Sequence, residues 1–338
     1  MNIRVTCLFF LLIISSPFII FAQENTVPLY IEPVYPSNQV DGVRGYFHLN
    51  VEPGQDQTVT VKLKNNLDED LKVRMEPANG YSNPSGGMLY SRELQSDKSK
   101  LLNQAIKLAD HISLDSEVTL EPKETREVTI DITVPNMDIG TALGGIRFVT
   151  EGTPKEESSD AEEGEANFIL KTEIANAVAI QLDFPNRAHS NFQLENVGFS
   201  PEGPSVYSIF KNAAGLIQEN ISGQYRVEDS SGNQLFNGEI PSFKMAPFTQ
   251  IRYPMYWDYE TLEEGSYKLF LTMNVDGKEI TSEEEFSIGD EEINKYVERT
   301  QPTVTTHEDN NRFPSWIWFA IGGVVLAGGM YWLGMRKR

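Results

Sequence analysis

Residues 45–66 read GYFHLNVEPGQDQTVTVKLKNN. Phe47, Leu49 and Val51 share one face, with His48 and Asn50 on the other. After Glu52-Pro53-Gly54 the alternation resumes, with Val59, Val61 and Leu63 inward and Thr58, Thr60, Lys62 and Lys64 outward. A period of two rich in β-branched residues predicts half-buried strands, and the Pro-Gly pair predicts a turn. The stretch therefore reads as two strands of one antiparallel sheet. The pattern returns at 126–134 (Val128, Ile130, Ile132, Val134), 144–150, 168–182, 205–212, 223–229, 248–257 and 265–275. Many short strands separated by Gly, Pro and Asn turns predict an all-β chain of tandem sandwiches. Two segments have helical spacing instead: 98–110, through Leu101, Leu102, Ala105, Ile106 and Ala109, and 291–298.

Both ends are apolar. Residues 1–22 carry a basic start at Arg4 and an apolar run from Val5 to Phe21, interrupted by Ser15-Ser16-Pro17. This reads as a secretory signal cut near Ala22, the alternative being an uncleaved anchor. Trp316 to Met335 is uncharged, long enough to cross a bilayer as a helix, and has Trp316, Trp318, Tyr331 and Trp332 at its rims. The basic tail Arg336-Lys337-Arg338 predicts a cytoplasmic C-terminus and an extracellular body. Gly323 and Ala327 form a small-xxx-small pair within that span, either a helix-pairing face or merely tolerated small residues.

The expected organisation follows. It runs signal 1–22, first sandwich 28–150, acidic linker or hairpin loop 151–167, a strand of undecided membership at 168–183, and second sandwich 184–288. A helix and polar stalk (289–312), the span 313–335 and the tail 336–338 complete it. The single cysteine, Cys7, lies inside the signal, so the core must hold without disulfides. Net charge is −21, and becomes −25 without Arg4 and the three tail residues. So acidic a surface disfavours nucleic acid and anionic lipid as partners.

Catalytic patterns are lacking. The histidines, His48, His111, His189 and His307, have no zinc spacing, so neither a metal nor a cofactor is expected. No Gly-x-Ser-x-Gly occurs. Gly144-Gly145 follows no P-loop pattern and reads as a turn or close-packed strand. Asp229 to Asn233 reads as a hairpin turn rather than a calcium loop. What remains is binding. Tyr46, Tyr81, Asn83 and Tyr90 surround the loop NGYSNPSGGMLY (79–90). Aromatic faces beside amides either stack on sugar rings or anchor loops by packing.

The order of motifs is similar to a known family. EPVYPSNQVDGVRGYFHLNVEPGQDQTVTVKLKNN, ANGYSNPSGGMLY, VTLEPKETREVTIDITVP, LGGIRFV and IANAVAIQL resemble the N-terminal domain of WxL-interacting proteins of Gram-positive bacteria. MAPFTQIRYPM, LEEGSYKLFLTMNVDGKEI and EEFSI resemble their second domain, although a tryptophan expected near the last strand is absent. The resemblance implies two immunoglobulin-like domains, the first peptidoglycan-binding and the second host-binding, with WxL-domain surface proteins as partners and host matrix protein as a further one. It brings no agreed site residues; Asn38, Gln39, Tyr46, Tyr81, Asn83 and Tyr90 are the ligand-binding candidates on chemical grounds. A membrane-held, non-catalytic adaptor is the leading expectation. A chaperone-like factor that accepts a partner strand is the alternative, and a wall hydrolase resting on surplus carboxylates comes last.

Overall fold

The computed structural model describes residues 27–151, 172–258 and 262–300. The expected signal, nearly all of the acidic segment, and the span with its tail lie outside these residues. Among the described residues no helix is long and apolar enough to cross a membrane.

The first sandwich has two sheets. β1 (Leu29–Val34), β3 (Asp56–Asn65), β7 (Ile112–Ser113) and β9 (Thr125–Thr133) form one, in the order β1-β3-β9-β7. β2 (Phe47–Asn50), β4 (Leu71–Ser82), β5 (Met88–Ser91), β10 (Thr141–Glu151) and β11 (Glu173–Asp183) form the other, in the order β2-β11-β10-β4-β5, with β8 (Glu117–Leu120) also on β4. Phe47, Leu49, Val59, Val61, Leu63, Ile130 and Ile132 meet Phe148, Ile180 and Leu182 in one buried core. Each such side chain contributes about 1.5–3 kcal/mol on burial.

The alternation at 45–66 marks the inward faces, which are buried, but its two strands do not pair with each other. β2 and β3 lie in opposite sheets, and the Pro53-Gly54 turn crosses between them. An apolar face that points into the core looks the same from either side of a sandwich, so the pattern is blind to this choice. β2 pairs instead with β11, in parallel, which sets His48 beside Gln181 and Leu49 beside Leu182.

The second sandwich stacks β12 (Phe192–Ser200), β13 (Ser205–Asn212) and β16 (Thr249–Tyr256) against β15 (Gln234–Met245), β14 (Gln218–Asp229), β17 (Gly265–Val275) and β18 (Lys278–Ile288). Its core is aromatic. Phe210 stacks on Tyr253 at 4.9 Å, and Trp257 packs edge-on against Phe236 at 5.1 Å and Tyr267 at 5.3 Å. Asp229 closes the β14–β15 hairpin by accepting from the Ser231 and Asn233 amides at 2.8 and 2.9 Å, so this segment is a turn. Helix α1 (Asp290–Thr300) follows, where helical spacing was expected.

The helical spacing at 98–110, which suggests a short helix or helical loop on a sheet edge, makes no α-helix. Residues Ser99–Leu101 form a short strand, β6, which leaves the first sandwich and adds to β16 of the second. Only a 3-10 turn, Leu108–His111, remains, with Leu108 and Ala109 buried. Edge pairing for β6 outweighs a weak helical pattern in so short a segment, since propensity is a minor term beside tertiary contacts.

β6 brings a buried hydroxyl chain to the junction. Ser99 Oγ donates to the Ser82 carbonyl at 2.6 Å, and Ser82 Oγ meets Thr249 Oγ1 at 2.5 Å. Thr249 Oγ1 donates to the Ala246 carbonyl, while the Ala246 amide donates to Ser82 Oγ, both at 2.8 Å. Nearby, the Thr141 amide donates to the Gly215 carbonyl at 2.7 Å. Gly140, at φ +93°, passes so close to Gly215 that a Cβ would sit 2.1 Å from its oxygen. Replacing Ser82 with alanine strands the buried Ala246 amide and removes the donor to Thr249. Unfolding of the full chain in denaturant should then require about 1–3 kcal/mol less. An unchanged midpoint and slope would refute the role given to this hydroxyl.

Candidate functional site

A cleft of about 990 Å3 opens where the two sandwiches meet. The first sandwich contributes the loop before β2, the outward side chains of β2 and β11, and the turn after β2. The second contributes the start of β14 and the end of β15, and residues 184–188 connect the two. β2 and β11 carry its polar floor because their inward residues are committed to the core, which forces His48, Gln181 and Asp183 outward.

His48 Nε2 lies 2.6 Å from Asp183 Oδ2 and 2.9 Å from Gln181 Nε2. The Gln181 amide donates to Asp183 Oδ1 at 3.0 Å, and Thr141 Oγ1 donates to the same oxygen at 2.8 Å. An ionised carboxylate only accepts, so His48 donates from Nε2. Its Nδ1 is buried without a partner among the described residues. Tyr46 stacks on the His48 ring, with centroids 6.2 Å apart and planes 13° apart. Burial raises the Tyr46 phenol above its usual range, and the negative charges of Glu219 and Asp183 add to the rise.

The six expected binding residues do not all converge. Asn38 and Tyr46 line the cleft. Asn38 Nδ2 donates to the Asn50 carbonyl at 2.9 Å and to Gln57 Oε1 at 2.8 Å. Gln39 serves the backbone: its amide donates to the Tyr46 carbonyl at 3.2 Å and its oxygen accepts from the His48 amide at 3.1 Å, pinning the loop onto β2. Tyr81 is buried, only 5% exposed. Asn83 caps the β4–β5 turn, accepting from the Ser85 amide at 3.0 Å, and lines a different groove. Tyr90 lies against Gly145, where a Cβ would come within 3.3 Å of its ring. Burial, aided by nearby Tyr46, pushes its phenol up to about 12. Of the two readings open for Gly144 and Gly145, turn or close-packed strand, the second holds.

The sequence did not single out His48, Gln181 and Asp183 as a group. Outward polar positions on two strands were visible, but the parallel pairing that joins them was not. Among the described residues no cluster of His, Cys, Asp or Glu is arranged to hold a metal ion.

The family model for the WxL-interacting protein peptidoglycan-binding domain matches residues 30–150, and that for the host-binding domain matches 165–298. The chain belongs to the WxL-interacting protein family. Both family domains are described by what they bind, the first by peptidoglycan and the second by a host. No curated protein matches the chain. Among solved structures it is similar to the CsuC-CsuE chaperone–tip adhesion subunit complex of Acinetobacter baumannii, at 12% identity over 76% of this chain and 98% of that one, with a TM-score of 0.34. It is similar also to the YadV chaperone (11% identity, 77% and 100% covered, TM-score 0.31) and to the E. coli chaperone DraB (11%, 77% and 97%, 0.31). Likeness at this level carries no information on partners.

Tyr90 gives a pH signature. Its phenol ionises near 10 when unfolded and about 12 when folded. Its contribution to stability is complete below pH 10 and is lost as pH rises through about 12. In unfolding curves taken across that window, wild type should lose stability more steeply than Tyr90→Phe. Parallel pH profiles for the two proteins would contradict the assignment.

Proposed function

We propose that this chain is a non-catalytic binding protein of the cell surface, in which two immunoglobulin-like sandwiches join peptidoglycan to WxL-domain surface proteins. In this reading helix 313–335 holds it in the membrane with the tail 336–338 in the cytoplasm, and the second sandwich presents a surface to host matrix protein. The observation that carries it is the junction cleft. Its walls mix a tyrosine with side-chain amides, the groups that bind acetamido, hydroxyl and peptide functions. His48, held by Asp183 through Nε2 and with Nδ1 buried, supports a positioning role rather than proton transfer.

The alternative, a factor that takes a partner strand, finds little support at the sheet edges. β2 has four residues, β12 carries a bulge between Glu195 and Val197, β1 contains Pro33 and β15 contains Pro241. β18 presents Glu283, Glu284 and Glu285. Short, bulged, proline-bearing or charged edges resist strand addition.

Full-length protein in mild detergent should co-sediment with insoluble peptidoglycan and, separately, retain a WxL-domain protein. Tyr46→Ala should weaken the peptidoglycan interaction at least about fivefold, the loss typical of a buried aromatic contact. Absence of retention on both would remove the proposal. Retention on peptidoglycan that is indifferent to Tyr46→Ala would relocate the site.

A further inference from the structure

The cleft has charged walls as well as neutral ones. Glu52 stands on the turn after β2, Arg187 on the connector between the sandwiches, Glu219 on β14 and Lys244 on β15. All four are exposed, and none forms an ion pair or a side-chain hydrogen bond among the described residues. The other large groove at the junction differs. There Lys98 is held by Glu202 at 3.7 Å, Arg252 by Asp97 at 2.6 Å and Lys295 by Glu291 at 2.6 Å. The amides of Asn50, Gln55 and Asn186 also face the first cleft with no side-chain hydrogen bond among the described residues.

Peptidoglycan offers two chemistries. Its glycan strand of N-acetylated sugars is dominated by hydroxyl and acetamido groups, which the amides alone would satisfy while two cations and two anions faced it unanswered. Its short peptide stem carries backbone amides together with a free ammonium and free carboxylates. Charge-assisted hydrogen bonds to such groups are about twice as strong as neutral ones. A cleft with open amides and unpaired charges of both signs therefore matches a zwitterionic peptide better than a sugar chain.

We infer that the cleft binds the peptide stem of the wall polymer, with carboxylate on Arg187 and Lys244, ammonium on Glu52 and Glu219, and peptide amides on Asn50, Gln55 and Asn186. This rests on the reading that the chain binds peptidoglycan. It adds that the second sandwich and the connector supply half of that site, so that recognition of the wall is shared by both domains. The stem is held across the junction, and neither sandwich alone completes the set of charges.

The test is titration of the full-length protein in detergent with three soluble probes. These are a disaccharide–tetrapeptide with free amine and carboxylates, the same molecule with amine acetylated and carboxylates amidated, and an N-acetylglucosamine oligomer without peptide. The first should bind, the second about tenfold or more weakly, and the third not measurably. The double variant Arg187→Gln/Lys244→Gln should weaken the first probe about tenfold or more, while Lys72→Gln, on β4 beside β8 and outside the cleft, should not. All these positions are exposed, so folding is not at stake. Equal binding of the oligomer and the free peptide probe, or an unaffected double variant, overturns the stem assignment while retention on insoluble peptidoglycan leaves the wall-binding reading intact. Failure of wild type to bind either insoluble peptidoglycan or any probe overturns both.

Discussion

Where the two sandwiches meet, the buried hydroxyls of Ser82 and Thr249 bond each other and the Ala246 backbone, while the Ser99 hydroxyl satisfies the Ser82 carbonyl. Polar groups buried in this way tolerate only the geometry that completes every bond. The hydroxyl cluster therefore does more than join two bodies: it fixes the angle between them. With β6 sewn into the second sandwich and Gly140 pressed against Gly215, the cleft walls formed by β2, β11, β14 and β15 are held at a set separation. A site assembled from two domains needs such a lock, because an ordinary interdomain contact permits relative motion by default.

The two cores solve the same packing problem differently. The first is filled by aliphatic residues with Phe47 and Phe148 among them, whereas the second is built on a stacked row of Phe210, Phe243 and Tyr253 with Trp257 beside Phe236 and Tyr267. Aromatic pairs add geometric preference to area burial, which suits a sandwich that must accept a foreign strand at one edge without shifting. Neither core has a disulfide to rely on, and both are continuous.

Most of the fold was written in the alternation of the strands. Val128, Ile130, Ile132 and Val134 point inward as their period demands, and so do Val178, Ile180 and Leu182. Partnership was not written there. Inward faces do not reveal which sheet a strand joins, so the separation of β2 from β3 and the loan of β6 were invisible. The site was legible only in part for the same reason. Tyr46 and Asn38 stand out by chemistry and do line the cleft, but Tyr81 shares that chemistry and is buried. Gln39 spends its amide on the backbone. Asp183, Gln181 and the charges on β14 and β15 are ordinary surface residues until tertiary contacts place them opposite His48 and Tyr46.

The parallel pairing of β2 with β11 has a kinetic side. Phe47 and Ile180 are neighbours in space though far apart in the chain, and such contacts are slow to form because a long loop must close first. The edge of the first sandwich stays unsealed until residue 183 has emerged from the ribosome, by which time β3 to β10 are already out. An early-made half with its last strand missing is a sticky object, so the order of synthesis itself sets a vulnerable interval, ended only when β11 slides between β2 and β10.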